Sequence, residues 1–205
     1  SISWRALANR KASPVTSLSF GRYTNELIDP RGFSRSVLFN AMNYLKFQEQ
    51  VNWQPNEKHN LSAGTEATLY FPSPEQRKPY KGSNTIIPRQ VDKNHGLEAS
   101  VFLQDDITLN EALSVSTGVR ISGYAHLGPD TVFRYAPNGP RTKETITGKD
   151  IYTSPTMLYR TGGIEPRLSA RWSFGKDQSV KAGYSRMIQY IHQISNTAAP
   201  TPVDL

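Results

Sequence analysis

The sequence predicts an all-β fold, an antiparallel up-and-down β-barrel wall, from three observations. Apolar and polar residues alternate along most of the chain, no segment keeps a helical period, and short and long connections take turns between the alternating runs. The alternation is clearest in residues 163–190. Ile164, Pro166, Leu168, Ala170, Trp172 and Phe174 form one set; Glu165, Arg167, Ser169, Arg171 and Ser173 form the other. Successive strand side chains point to opposite faces, so one face is apolar and the other charged. Gly175-Lys176-Asp177-Gln178 then reads as a hairpin turn into a second alternating run, SVKAGYSRMIQY.

The first run sets Ile2, Trp4, Ala6 and Ala8 against Ser3, Arg5 and Leu7, and residues 10–14, RKASP, form a short turn. A second strand covers about 15–23, with Leu18 and Phe20, and residues 24–36 form a longer loop rich in turn formers. The third strand, about 39–54, places Phe47, Val51 and Trp53 opposite Lys46, Gln48, Gln50 and Asn52; PNEKHN is the next short turn. The fourth, 61–71, sets Leu61, Ala63, Thr65, Ala67, Leu69 and Phe71 against Ser62, Gly64, Glu66, Thr68 and Tyr70, and a proline-rich loop follows over 72–95. The fifth strand is 97–109, the turn Asn110-Glu111-Ala112 follows, and the sixth alternates Leu113, Val115, Thr117, Val119 and Ile121 with Ser114, Ser116, Gly118, Arg120 and Ser122. Residues 126–161 are the longest connection, and the hairpin at 163–190 supplies strands seven and eight.

Periodicity alone fits both a soluble lipocalin-like barrel and a membrane barrel. Two features favour the membrane. Tight connections at one end and long loops at the other are the habit of outer-membrane barrels. Several strands also exceed ten residues, the length a tilted strand needs to cross a bilayer, whereas strands of soluble proteins average five or six. The mean hydropathy of −0.55 does not discriminate, because half of each barrel strand faces water. No run of about 18 apolar residues is available for a transmembrane helix. The first residues, SISWRALAN, carry no signal-peptide pattern, which leaves a removed signal or a chain that begins mid-protein.

The 205 residues contain no cysteine, which excludes disulfide and thiolate chemistry, and carry a net charge of +7. Nucleic acid, anionic lipid headgroups and phosphorylated glycolipid are candidate counterparts for that charge. Lys and Arg fall mainly in loops and on polar strand faces rather than in a stripe interleaved with aromatics, so a nucleic-acid surface is not expected. His59, His95, His126 and His192 show no metal-ligand spacing. Asp105 and Asp106 are strand neighbours that point to opposite faces and so cannot form a catalytic dyad. No enzyme, no metal and no cofactor is implied. Arg186 shares the parity of Val180, Ala182, Tyr184 and Ile188; it reads either as a snorkelling residue or as a sign that its strand has left the membrane. Trp53, Trp172 and Phe174 near the tight turns, with Tyr70, Phe71, Tyr124 and Tyr190 at the long-loop ends, read as two interfacial aromatic girdles.

HGLEASVFLQDDITLNEALSVSTGVRIS resembles the barrel hairpin of TonB-dependent outer-membrane receptors, carried by Glu98, Phe102, Gln104, Asp105, Asp106, Gly118 and Arg120. Phe102 stands where that family commonly has Tyr. TGGIEPRLSARWSF and the run from Ser179 to Leu205 resemble the following strand pair, especially in receptors of Bacteroidota. The carrying residues there are Gly163, Glu165, Pro166, Arg167, Tyr184, Ser185, Arg186, Gln189 and Tyr190. Residues 1–90 match only in style. The resemblance implies a central segment of a 22-stranded barrel, occupying all of residues 1–205, whose plug domain and closing C-terminal strands lie outside this chain.

It also implies bacterial outer-membrane localisation and TonB-energised uptake of a bulky nutrient such as a glycan, siderophore or peptide. The implied partners are outer-membrane lipid or lipopolysaccharide, the TonB complex reached through the absent plug, the nutrient ligand and, as a candidate, a surface lipoprotein lid. Tyr80, Tyr124, Tyr135 and Tyr152 in or beside the loops are the candidate ligand contacts, since flat amphipathic rings suit sugars and peptides. Two other readings stand beside this one: a self-contained eight-stranded outer-membrane barrel with a structural or adhesion role, and a soluble lipocalin-like binding barrel.

Overall fold

The computed structural model describes residues 1–6, 12–29, 36–80, 87, 89–90, 95–174, 177–191, 195–196 and 201–202. Several sequence expectations lie outside the described residues: Leu7 and Ala8 of the first strand, loop positions 30–35 and 81–86, Gly175 and Lys176 of the last tight turn, and His192. In chain order the strands are β1 (Ile2–Arg5), β2 (Ala12–Asp29), β3 (Ser36–Trp53), β4 (His59–Pro79), β5 (Arg89–Gln90), β6 (His95–Thr108), β7 (Leu113–Leu127), β8 (Asp130–Tyr135), β9 (Ile146–Tyr152), β10 (Met157–Ser173) and β11 (Ser179–Ser185). Among the described residues, the two-residue strands β12 (Ser195–Asn196) and β13 (Thr201–Pro202) pair only with each other.

Eight strands form one antiparallel meander in the order β1-β2-β3-β4-β6-β7-β10-β11, with β5 paired to the outer part of β4. The fold is the all-β barrel wall expected from the alternation. Among the described residues β1 and β11 are its edges and do not pair with each other, so the sheet is not closed on itself.

Asparagines build two of the tight turns. The side chain of Asn56 accepts hydrogen bonds from the backbone N–H groups of Lys58 (2.9 Å) and His59 (3.1 Å). That of Asn110 accepts from Ala112 and Leu113, each at 2.9 Å. Such side-chain turns reverse the chain in few residues and fix the register of the strands they join.

The strands run further than their alternation suggests. Residues 24–29, expected in a loop, continue β2 against β3, from Thr24↔Ala41 to Asp29↔Ser36. Residues 12–14, expected in a turn, already pair with β3. All of PSPEQRKP, also expected in a loop, belongs to β4. One of its prolines, Pro74, falls at a bulge, while Pro72 and Pro79 stay in register with Met42 and Ser36: Phe39 pairs with Gln76 and Ala41 with Ser73, so two β4 residues oppose one on β3. A bulge leaves a residue unpaired, which is where a missing N–H costs least. Conversely, β11 stops at Ser185, and residues 186–191 are not strand. The longest connection narrows to 128–156 and holds the β8–β9 hairpin and a single 3-10 turn, Lys143–Thr145.

Burial is inverted relative to a soluble protein. The buried hydrophobic residues among those described are only Ala41 and Ala125, whereas Glu165, Ser122, Ser100 and Thr68 are buried. The large apolar side chains point outward, with Phe20 66% exposed, Leu103 51%, Ile121 52% and Leu168 54%. An apolar face spanning eight strands exceeds what soluble monomers present to water and suits hydrocarbon. This argues against a lipocalin, which turns its apolar face inward.

Candidate functional site on the polar face

The register arranges the polar-face residues in rows across five strands. Nearest the long connections lies Tyr44, Tyr70, Gly96, His126 and Tyr159. Next come Lys46, Thr68, Glu98, Tyr124 and Thr161, then Gln48, Glu66, Ser100, Ser122 and Gly163. The fourth row, Gln50, Gly64, Phe102, Arg120 and Glu165, sits near mid-strand. Side chains directly opposite or diagonal across a ladder touch, so these rows form one continuous surface.

Its centre is Arg120. The guanidinium lies 3.4 Å from Glu66, 3.8 Å from Glu98 and 3.8 Å from Glu165. Lys46 Nζ approaches Glu66 to 2.9 Å, so three carboxylates face two cations. Glu165 is only 4% exposed, and Ser122 Oγ donates to it at 2.5 Å. A carboxylate that far from water must be paired or hydrogen-bonded, and Arg120 with Ser122 meets that requirement. Arg120 Nε itself is buried without a hydrogen-bond partner, as is Ser100 Oγ in the adjoining row.

Aromatic rings cover the upper part of the cluster. Tyr124 and Tyr190 stack with centroids 6.0 Å apart at an interplanar angle of 14°. Tyr190 Oη donates to the Ser122 carbonyl at 3.0 Å, which holds the segment after β11 across the polar face. Tyr70 Oη donates to Glu98 at 3.3 Å. Phe102 lies against Gly64, where an added Cβ would come within 2.8 Å of the ring. Below it opens a recess of about 210 Å³ lined by Gln48, Glu66, Phe102, Gln104, Arg120 and Arg167, among others. Flat rings beside charged and amide groups make a wall that holds polar or amphipathic surfaces by stacking and hydrogen bonding.

One sequence expectation changes here. Tyr70, Tyr124 and Tyr190 are not part of a lipid-facing girdle: their contacts with Glu98 and Ser122 place them on the polar face, and the parity of Tyr70 and Tyr124 agrees. Phe71 at that end, and Trp53 and Trp172 at the other, do face outward, the two tryptophans 48% and 57% exposed.

The four candidate tyrosines are not gathered in one place. Tyr124 belongs to the stacked pair, and Tyr80 directly follows β4. Tyr135 closes β8 under Arg141, whose guanidinium is 5.9 Å from the ring centre. Tyr152 ends β9 opposite Asp130, at the other end of the hairpin from Tyr135, about 17 Å away at 3.4 Å per residue. Where the β8–β9 connection leaves β7, His126 Nε2 is 3.0 Å from Asp130 and His95 Nδ1 is 3.2 Å from the Gly128 carbonyl. Sequence reasoning did not join Glu66, Glu98, Arg120 and Glu165 into one cluster, although each shares the polar parity of its strand.

No group of three or more His, Asp or Glu side chains among the described residues is placed to hold a metal. No curated protein matches the chain. Among solved structures, a double mutant of the Serratia marcescens hemophore receptor HasR, in complex with its hemophore HasA and heme, is similar at 12% identity with a TM-score of 0.37. That match covers 88% of this chain and 31% of the HasR chain, so this chain spans about a third of that length. The model of the family described as TonB dependent receptor-like, beta-barrel matches residues 3–204, and the chain belongs to that family.

Proposed function

We propose that residues 1–205 form a central part of the barrel wall of an outer-membrane receptor that imports a bulky nutrient, a glycan, siderophore or peptide, with energy from the TonB complex. The observation that carries this reading is the two-faced sheet, with outward apolar side chains and a polar face bearing an Arg–Glu cluster under stacked tyrosines. Family membership supports the outer-membrane setting. In this reading the plug domain and closing strands lie outside this chain, β1 and β11 are continued by further barrel strands, and the long connections face the cell exterior. Open strand edges in hydrocarbon would leave backbone groups unsatisfied, which favours closure by other strands.

The nutrient would meet Tyr124 and the loop tyrosines Tyr80, Tyr135 and Tyr152 on its way in. The test is equilibrium binding of an oligosaccharide, a ferric siderophore and a peptide panel to the full-length receptor in detergent. Replacing Tyr124, Tyr135 and Tyr152 together by Ala should weaken the bound class by roughly tenfold or more, at about 0.5–1.5 kcal/mol per stacked ring. Unchanged affinity in that triple variant removes these tyrosines from the ligand path.

A further inference from the structure

Toward the long connections, β10 outlasts its partner β11. Their ladder runs from Ser173↔Ser179 to Arg167↔Ser185 and closes on a last bond, from the Arg186 N–H to the Pro166 carbonyl at 3.1 Å. A hydrogen-bonded rung of an antiparallel ladder exchanges two bonds. Pro166 has no N–H to give, so this rung keeps only one, and β11 leaves β10 there. β10 itself continues to Met157 beside β7, with no strand on its other side beyond Pro166 among the described residues. Residues 186–191 cross the polar face instead. Tyr190 stacks on Tyr124, and its Oη lies 2.8 Å from Ser122 Oγ and 3.0 Å from the Ser122 carbonyl. Ile188 packs over Gly163, where an added Cβ would collide with its Cδ1.

The sequence suits the opposite arrangement as well. Continuing the β10–β11 register sets Ile188 opposite Ile164 and Tyr190 opposite Gly162. Both side chains would then project from the apolar face, in step with Val180 and Tyr184. A tyrosine fits either place, its ring in apolar surroundings and its hydroxyl on water or a carbonyl. Neither arrangement satisfies every group. Crossing the polar face leaves the edge of β10 at Ile164 and Gly162 without a ladder partner, and pairing with that edge gives up the Tyr124 stack and the Ser122 bonds.

We infer that residues 186–191 are a two-state strap hinged at Pro166. In one state Tyr190 covers Tyr124 and occludes the ring on which an incoming nutrient would stack. In the other the segment zips onto β10, Tyr190 turns outward, and the polar face is open. The strap is an autoinhibitory contact: a ligand that stacks on Tyr124 displaces Tyr190 and favours the zipped strand. The inference rests on the proposed barrel reading, in which the apolar face meets lipid.

Fluorine NMR of the full-length receptor in lipid nanodiscs, with fluorotyrosine incorporated at Tyr190 alone, tests this. Two resonances are expected, one broadened by doxyl-labelled lipid and one not. Gly163→Ala, whose new methyl group meets only Ile188 among the described residues, should deplete the unbroadened resonance. Pro166→Val, which restores the missing N–H, should deplete it too. A single resonance, two that both escape the doxyl lipid, or proportions that ignore both substitutions would refute the strap. Fluorotryptophan at the outward Trp172 is the separate control. If doxyl lipid leaves its signal sharp, the barrel reading on which the inference rests is overturned instead.

Discussion

Removing Arg120 should destabilise the barrel wall far more than removing any one of the carboxylates it holds. In the variant Arg120→Gln three carboxylates within 3.4–3.8 Å of the lost guanidinium would share Lys46 alone. Glu165 would then keep its charge at 4% exposure with only Ser122 donating to it. Leaving a buried charge without its partner costs about 3–5 kcal/mol; since Glu66 and Glu98 are roughly a fifth exposed, water recovers part of that, and about 2–4 kcal/mol is expected. Glu165→Gln acts differently. It takes the cluster from three carboxylates against two cations to two against two, and the amide oxygen can still accept from Ser122. Its cost should stay within about 1 kcal/mol. The double variant should recover about 1–2 kcal/mol relative to additivity, because the unpaired charge that makes Arg120→Gln costly is then absent. Denaturant unfolding of the full-length receptor in lipid vesicles, followed by tryptophan fluorescence, measures all three. Equal costs for the two single variants, or strict additivity, would refute the account of Arg120 as the shared counter-ion.

Three further outcomes follow from the same geometry. Val119→Arg, on the apolar face near mid-strand, should cost about 2–4 kcal/mol in vesicles, whereas Gln104→Arg on the polar face should cost under about 1 kcal/mol; comparable values would reverse the face assignment. Gly64→Ala places a Cβ 2.5 Å from the Glu49 carbonyl and 2.8 Å from the Phe102 ring and should cost about 1–3 kcal/mol, while Gly123→Ala, whose nearest atom is 3.4 Å away, should be nearly silent in the same unfolding assay. In the extramembrane turn the Thr142 side chain and the residue's own backbone N–H hold the Glu144 carboxyl below its ordinary range. Because the folded value is depressed, the turn gains from ionised Glu144 at and above the ordinary carboxylate range and loses that gain as pH falls through the folded value. A carboxyl-selective NMR titration should show a low midpoint that rises in Thr142→Val, and an unshifted midpoint counts against that hydrogen bond.

What the sequence discloses of this wall follows from how each feature is encoded. Side-chain parity is local: a period of two assigns Arg120, Glu165 and Leu168 to their faces with no knowledge of neighbours. Parity also assigns Tyr124, which alternates in step with Arg120 and Ser122, to the polar face, and nearness to a strand end does not override it. Strand ends are not local. Residues 24–29 and 72–79 have the composition of loops, yet the ladder with β3 holds both in strand, because backbone pairing to a neighbour outweighs propensity.

The cluster is encoded at two levels. Glu98 and Arg120 belong to strands joined by the tight Asn110 turn, whose length sets their register, so their nearness can be counted from the turn. Glu66 and Glu165 come from strands that reach β6 and β7 through long connections, whose lengths say nothing about register. Only side-chain complementarity across those ladders fixes where they land, and Arg120, ringed by three carboxylates, supplies it. A one-residue slip in either pairing would turn Glu66 or Glu165 toward lipid, so the same guanidinium that neutralises the cluster also penalises misregistered sheets. The long connections are then free to vary in length and composition without moving the wall beneath them.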